Sequence, residues 1–364
     1  MIKFLDIKRQ DQNKINEIIK NLKKNFIKTD FILGKNVFIF EKKFSILCNS
    51  KYAISCANGT DALTIALKSL NLKKNSEVIL PAMTYCSTLI AVINANLKPV
   101  LVDISKNSSE IDLNEIKKKI SKKTKVILPV HLYGSPVNLH LLKKLIKNKK
   151  IFIIDDCAQA HGGFDYSSGI KKNIGSIADI SCFSFYPGKN LGAYGDGGMI
   201  TTNNKILYNK ISAIRNLGSA IKYRHKYLGF NSRLDTIQAT ILLSKIKDLN
   251  RNNNLRKKIA NIYNNNIINP KVIKIKYSKG SVYHQYIIMT NLRKKLIKLF
   301  NNNKVQYGFH YPYPLHKLEF AKKYFKNQSF PNSEKLANNG ISLPIDPFLN
   351  NKELNKICNI INSL

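Results

Sequence analysis

Acidic side chains are scarce in this 364-residue chain: 22 Asp and Glu stand against 60 Lys and Arg, a formal net charge of +38. Long apolar runs are missing too. No stretch of 18 uncharged apolar residues occurs, which argues against a membrane-spanning helix. The charged, helix-like segment from Met1 to Lys20 has no apolar signal core. A soluble, cytoplasmic protein is therefore expected, with no membrane partner. No two of the six cysteines (Cys48, Cys56, Cys86, Cys157, Cys182, Cys358) form a C-x-x-C pair, and most sit in apolar runs. They read as reduced thiols packed as small hydrophobes rather than as zinc ligands or disulfides. The histidines lack H-x-x-x-H and H-E-x-x-H spacing, so no metal site is expected. The positive charge fits a nucleic-acid binder, a membrane-surface binder or an enzyme of anionic substrates. Lysine is spread along the whole length, however, and no zinc finger, RNP-like aromatic motif or clustered basic arm is present. Compositional bias accounts for most of the charge, and no nucleic-acid partner is expected.

The length exceeds what one hydrophobic core usually serves, so two domains are expected. Short apolar runs stand out at Val78–Pro81, Pro99–Ile104, Lys125–Val130, Ile151–Asp156, Ala178–Phe185 and Gly198–Thr202. Helical stretches at Thr60–Leu70, Ser87–Ala95 and Asn138–Lys147 fill some of the gaps. Strands apolar on both faces signal an α/β fold with a mostly parallel sheet covered by helices. Ligands bind such sheets at the carboxyl ends of the strands. A helical stripe from Leu234 runs to Leu249, followed by an Asn-rich segment that reads as polar and weakly structured up to Pro270. We place the domain boundary there, giving a large domain over 1–248 and a smaller α/β domain over 249–364.

Four segments at strand ends carry the chemistry. In Ser184-Phe-Tyr-Pro-Gly-Lys189-Asn-Leu-Gly, one lysine sits in a tight turn after a buried strand and before four glycines. Desolvation there lowers the amine's pKa and makes it nucleophilic, as a Schiff-base lysine requires; a solvated loop lysine is the bland alternative. The glycines would let the backbone approach something flat or bulky. In Ile151-Phe-Ile-Ile-Asp155-Asp156-Cys-Ala-Gln159, two carboxylates end an apolar strand, and one of them would pair with a cationic ring nitrogen or simply cap the next helix. Side chains alternate along a strand, so only one enters the pocket, and the alternation alone does not say which. Gly59-Thr60 opens a helix after a strand and suits a phosphate or an ordinary N-cap. Tyr85 follows a strand end and would stack on a planar ring or merely pack. A lysine, a carboxylate, a phosphate-binding helix start and an aromatic at one sheet edge are the set that pyridoxal phosphate requires.

These motifs, together with Asn231-Ser-Arg-Leu-Asp-Thr-Ile-Gln238 and Ser342-Leu-Pro-Ile-Asp, make the chain resemble the DegT/DnrJ/StrS sugar aminotransferases nearly end to end. The branch that aminates C3 of a dTDP-3-keto-6-deoxyhexose is the most similar. The resemblance implies the aspartate aminotransferase (type I) fold, pyridoxal 5'-phosphate as cofactor, L-glutamate as donor and an obligate homodimer. It gives Lys189 the covalent link to the cofactor, Asp156 the pyridinium nitrogen, Gln159 the ring oxygen, Tyr85 the ring face, and Gly59, Thr60 and Ser184 the phosphate. Asn231 would reach the neighbouring subunit's cofactor phosphate. Tyr186, Lys222, His310 and Tyr311 would contact the sugar nucleotide. Relatives that carry His in place of the lysine are sugar dehydratases; Lys189 makes transamination the preferred reading over a dehydratase, a regulator or a C4-specific enzyme.

Overall fold

The computed structural model describes residues 1–364. Its centre is a seven-stranded sheet of β1 (Tyr52–Cys56), β2 (Glu77–Pro81), β3 (Lys98–Val102), β4 (Thr124–Ile127), β5 (Phe152–Asp156), β6 (Ile180–Ser184) and β7 (Gly198–Thr202), in the order β1-β7-β6-β5-β4-β2-β3. Each expected apolar run contains a strand, and β1 adds an edge. The sheet is parallel from β6 to β3, but β7 runs antiparallel to both β1 and β6. That reversal has a simple cause. Only 13 residues join Ser184 to Gly198, and a parallel return needs a longer crossover.

Alternation along each strand divides the apolar side chains between two cores. Ile54, Val78, Leu80, Val126, Ile154, Ile180 and Ile200 enter one. Ala53, Ile79, Ile127, Ile153, Phe183 and Met199 enter the other. Such two-sided burial is what helices on both faces provide. Among those helices, α1 is Lys35–Cys48, α2 is Gly59–Ser69, α3 is Cys86–Asn94, and α4 is Thr236–Lys245.

The Asn-rich segment is not weakly structured. It forms the 18-residue helix α5 (Leu249–Asn266). Asn has modest helix propensity, but burial of Leu249, Asn253, Arg256, Ile259, Ala260 and Tyr263 on one face outweighs it. Leu249 joins a core of the large sheet, while Ile259, Ala260 and Tyr263 join a third core. That core covers a three-stranded antiparallel sheet of β8 (Ile273–Lys274), β9 (Tyr286–Met289) and β10 (Gly340–Leu343), flanked by the last helix, α6 (Asn351–Asn362).

No helix is long and apolar enough to cross a membrane. All six cysteines are free thiols, five of them buried.

Candidate active site

A cavity of ≈ 770 Å³ opens at the carboxyl edge of the large sheet. It receives Asn58 beyond β1, Thr84 and Tyr85 beyond β2, Val130 beyond β4, Asp156 ending β5 and Ser184 ending β6. Because β7 runs backwards, Gly198 pairs with Ser184 at the same edge. The whole loop that carries Lys189 therefore begins and ends at the cavity.

Strand parity settles which carboxylate enters. Asp156 shares its face with Ile154 and with α2 and α3; one of its oxygens accepts from Thr88 Oγ1 at 2.9 Å and the other from the Ala158 N–H at 3.1 Å. Burial raises its pKa; those two hydrogen bonds and the charge of Lys189 oppose the rise. Asp155 points to the other face, where it accepts from His131 Nε2 at 3.0 Å. There His131, Asp155 and Cys157 bring ligand-type atoms within 4.8 Å of one another. His131 Nδ1 already accepts the Val137 N–H at 2.9 Å, so the imidazole has no lone pair left for a metal.

Lys189 is buried, and desolvation brings its amine down to about 8, with Asp156 pulling the other way. Such an amine is substantially neutral, and hence nucleophilic, near physiological pH. Around it, burial and the lysine's charge lower His161 to about 3 and His310 to about 4. These imidazoles are uncharged.

The start of α2 lies against β6. Asn58 caps the helix, its side chain accepting the Asp61 N–H at 2.8 Å. A Cβ built on Gly59 would lie 2.7 Å from Ser184 Cβ, so only glycine lets the first turn approach this closely. Thr60 Oγ1 donates to Ser87 Oγ at 2.7 Å. Hydroxyls of Thr60, Ser87 and Ser184 thus gather beside the N–H groups that a first helical turn leaves free, a cradle for a dianionic group. The glycines after Lys189 behave differently from expectation. A Cβ on Gly198 would strike the Asn58 carbonyl, and one on Gly192 the Pro187 carbonyl. They fit protein backbone together rather than admitting a ligand.

Gln159 Oε1 accepts the Tyr133 N–H, and its Nε2 donates to Tyr311 Oη at 3.0 Å, leaving one amide hydrogen free. Tyr85 is half exposed at the mouth, its ring 5.4 Å from that of Tyr311. Gly59, Thr60, Tyr85, Asp156, Gln159, Ser184, Tyr186, Lys189, His310 and Tyr311 all line this one cavity. Lys222 and Asn231 do not. Lys222 lies at the tip of an exposed ribbon pairing Ser219–Ile221 with Arg224–His225, and Asn231 is exposed nearby.

Three contributors escaped sequence reasoning. Thr88, which holds Asp156, has no local signature. Phe4 and Leu5 come from the N-terminal segment, Phe4 stacking on His310 at 5.5 Å. Arg256 is 2% exposed, donates from Nη1 to the Ile345 carbonyl at 2.7 Å, and keeps an unpartnered Nε. Burial brings its guanidinium down to about 10. Its signal was available: Arg256, Ile259, Ala260 and Tyr263 follow helical i, i+3, i+4, i+7 spacing. Lys189 and Arg256 are the only lysine or arginine side chains lining the cavity.

The chain matches the DegT/DnrJ/EryC1/StrS aminotransferase family over residues 9–362. It is 37% identical over 364 residues to the dTDP-3-amino-3,6-dideoxy-alpha-D-galactopyranose transaminase of Aneurinibacillus thermoaerophilus, covering 100% of this chain and 99% of that protein. The crystal structure of Streptomyces venezuelae DesV in complex with a ketimine intermediate superposes with a TM-score of 0.95 at 30% identity, covering 100% of this chain and 98% of that one. Bacillus subtilis NtdA with bound cofactor PMP gives 0.92 at 28% identity, covering 100% and 84%. Fold, site and these likenesses define the class: a pyridoxal-phosphate-dependent transaminase of the α/β, type I architecture. Within that class, the chain belongs to the DegT/DnrJ/EryC1/StrS aminotransferase family, whose relatives here are sugar aminotransferases.

The residues present fit the cofactor. A hydroxyl-lined helix start suits its phosphate, a buried carboxylate its ring nitrogen, and a desolvated amine its aldehyde.

Proposed function

We propose that this enzyme moves an amino group from L-glutamate to a nucleotide-linked keto sugar. Our reading of the substrate is dTDP-3-keto-6-deoxyhexose, giving dTDP-3-amino-3,6-dideoxyhexose for surface polysaccharide or glycoconjugate synthesis. The observation that carries the reaction type is the desolvated Lys189 amine facing a buried Asp156 at one sheet edge. The likeness to a dTDP-3-amino sugar transaminase supports the sugar.

Pyridoxal phosphate, when bound, supplies an electron sink for bond breaking at the amino carbon. The chain's own residues do the rest. Lys189 holds the cofactor covalently and then, freed as an amine, carries a proton to or from the reacting carbon. Asp156, fixed by Thr88 and the Ala158 N–H, keeps a ring nitrogen protonated. The free amide hydrogen of Gln159 faces the ring oxygen, and Tyr85 covers the ring. Gly59, Thr60 and Ser184 take the phosphate. A Gly59→Ala variant should weaken cofactor binding about tenfold, or ~1.4 kcal/mol, by driving α2 away from Ser184. Titration of the apoprotein, followed by cofactor absorbance, measures it, and unchanged affinity would remove Gly59 from the cradle.

Tyr186, His310 and Tyr311 meet the sugar nucleotide. Arg256 is the fixed cation for the donor's carboxylate, its unpartnered Nε being an open donor. Arg256→Met should raise the KM for glutamate about 10- to 100-fold, while the KM for the sugar nucleotide moves far less. Lys222 and Asn231 lie on a surface that also exposes Leu217, Tyr223 and Leu228, the last of them 90% exposed. Such apolar exposure supports a homodimer in which Asn231 serves the partner's cofactor phosphate and Lys222 its sugar nucleotide.

The deciding experiment incubates purified enzyme with glutamate and dTDP-3-keto-6-deoxyhexose. Release of 2-oxoglutarate together with a 3-amino product by mass spectrometry is expected. Consumption of the sugar without 2-oxoglutarate would replace this reading with a dehydratase.

A further inference from the structure

A transaminase of this kind serves two unlike substrates in one cavity. Arg256 offers the donor a cation. A complementary feature lies beside it at His284, which lines the same cavity.

The orientation of the His284 imidazole is set by a chain of side-chain amides anchored on two backbone carbonyls. Asn253 Nδ2 donates to the His161 carbonyl at 2.8 Å, which turns Asn253 Oδ1 toward Asn190. Asn190 Nδ2 donates to that oxygen at 2.9 Å and to the Val282 carbonyl at 3.2 Å. Carbonyl oxygens only accept, so neither amide can be flipped without loss. Asn190 Oδ1 is thereby directed at His284 Nδ1, 3.0 Å away, and must accept its proton. Nε2 is then the lone-pair nitrogen, and nothing in the protein donates to it. Burial and the charges of Lys189 and Arg256 hold the imidazole well below its usual pKa, so it stays neutral.

We propose that His284 Nε2 is a specificity determinant for the sugar, accepting a hydrogen bond from one of its hydroxyl groups. The inference rests on the sugar-nucleotide reading above. A neutral acceptor repels a carboxylate and welcomes a hydroxyl, whereas Arg256 does the reverse. The two side chains thus divide the substrates between them without any movement of the cavity. Asn190, the residue next to Lys189, positions His284 by fixing its tautomer.

The test uses the cofactor-loaded enzyme in single turnovers, with glutamate or with dTDP-3-amino-3,6-dideoxy-D-galactose run in the reverse direction. Both react with the same form of the bound cofactor, and its absorbance reports each rate. His284→Phe should lower the sugar's kcat/KM about tenfold or more, with a much smaller change for glutamate. His284→Gln, whose Oε1 can accept, should recover part of the loss. Equal losses for both substrates, or no recovery with Gln, would overturn the inference. If the wild-type enzyme reacts with glutamate but not with the amino sugar, the substrate reading itself is wrong and the inference goes with it.

Discussion

Replacing Lys189 with alanine is expected to abolish transamination, a fall of at least about 10⁴-fold in kcat/KM. The side chain has two duties that nothing else in the cavity can take over: covalent capture of the cofactor and proton transfer. The nearest imidazoles, His161 and His310, are buried and held far below their usual pKa, so they are poor proton carriers near neutrality. Lys189→Arg should be equally inactive, because it keeps the charge and loses the nucleophile. Mass spectrometry after borohydride reduction should show the cofactor attached to wild type alone. The pH dependence follows from the amine's pKa of about 8. Below that value the apoenzyme amine is increasingly protonated, so the rate of cofactor capture should fall about tenfold per pH unit and level off above it. The stability sign is opposite to that of a salt-bridged lysine. A lowered amine pKa means that the unfolded chain binds more protons between about 8 and the model value of 10.5, so this group's contribution rises with pH across that window. A Lys189→Ala protein that still bound the cofactor covalently would end the assignment.

Asp156→Asn is expected to reduce the single-turnover rate with glutamate by about 10³-fold while leaving covalent capture by Lys189 intact. Burial raises the pKa of this carboxylate, so it is held in a place that favours a cation beside it. An asparagine of the same shape can still accept from Thr88 or Ala158 but cannot keep a proton on a ring nitrogen. Thr88→Val, which removes a bond of 2.9 Å, should lower the same rate more gently. A rate within tenfold of wild type for Asp156→Asn would mean that the carboxylate is only a structural cap.

Much of this architecture was legible in the chain. The apolar runs marked every strand of the large sheet except the edge strand β1, because strands buried on both faces carry no polar positions to blur them. Lys189, Gly59 and Asp156 stood out because each sits just past such a run. The Asp155–Asp156 pair needed more. Period-two alternation separates the two carboxylates but gives no absolute side until Ile153 and Ile154 are seen in their respective cores. Arg256 was missed because its asparagine neighbours read as a loop, and only burial of the Ile259 and Tyr263 face reveals the helix. Thr88 was not legible at all, since its partner lies 68 positions away. Lys222 and Asn231 lie outside the cavity of one chain, where no spacing rule reaches.

The backward course of β7 sets a limit on how this enzyme can move. Both ends of the loop bearing the amine are stitched to adjacent strands, one at Ser184 and one at Gly198, with Phe185 and Gly197 bonded just beyond. Breathing of the C-terminal portion against the large sheet would widen or narrow the doorway through Phe4, His310 and Ile345. It would leave the aim of the nucleophile untouched, so gating and alignment are mechanically uncoupled.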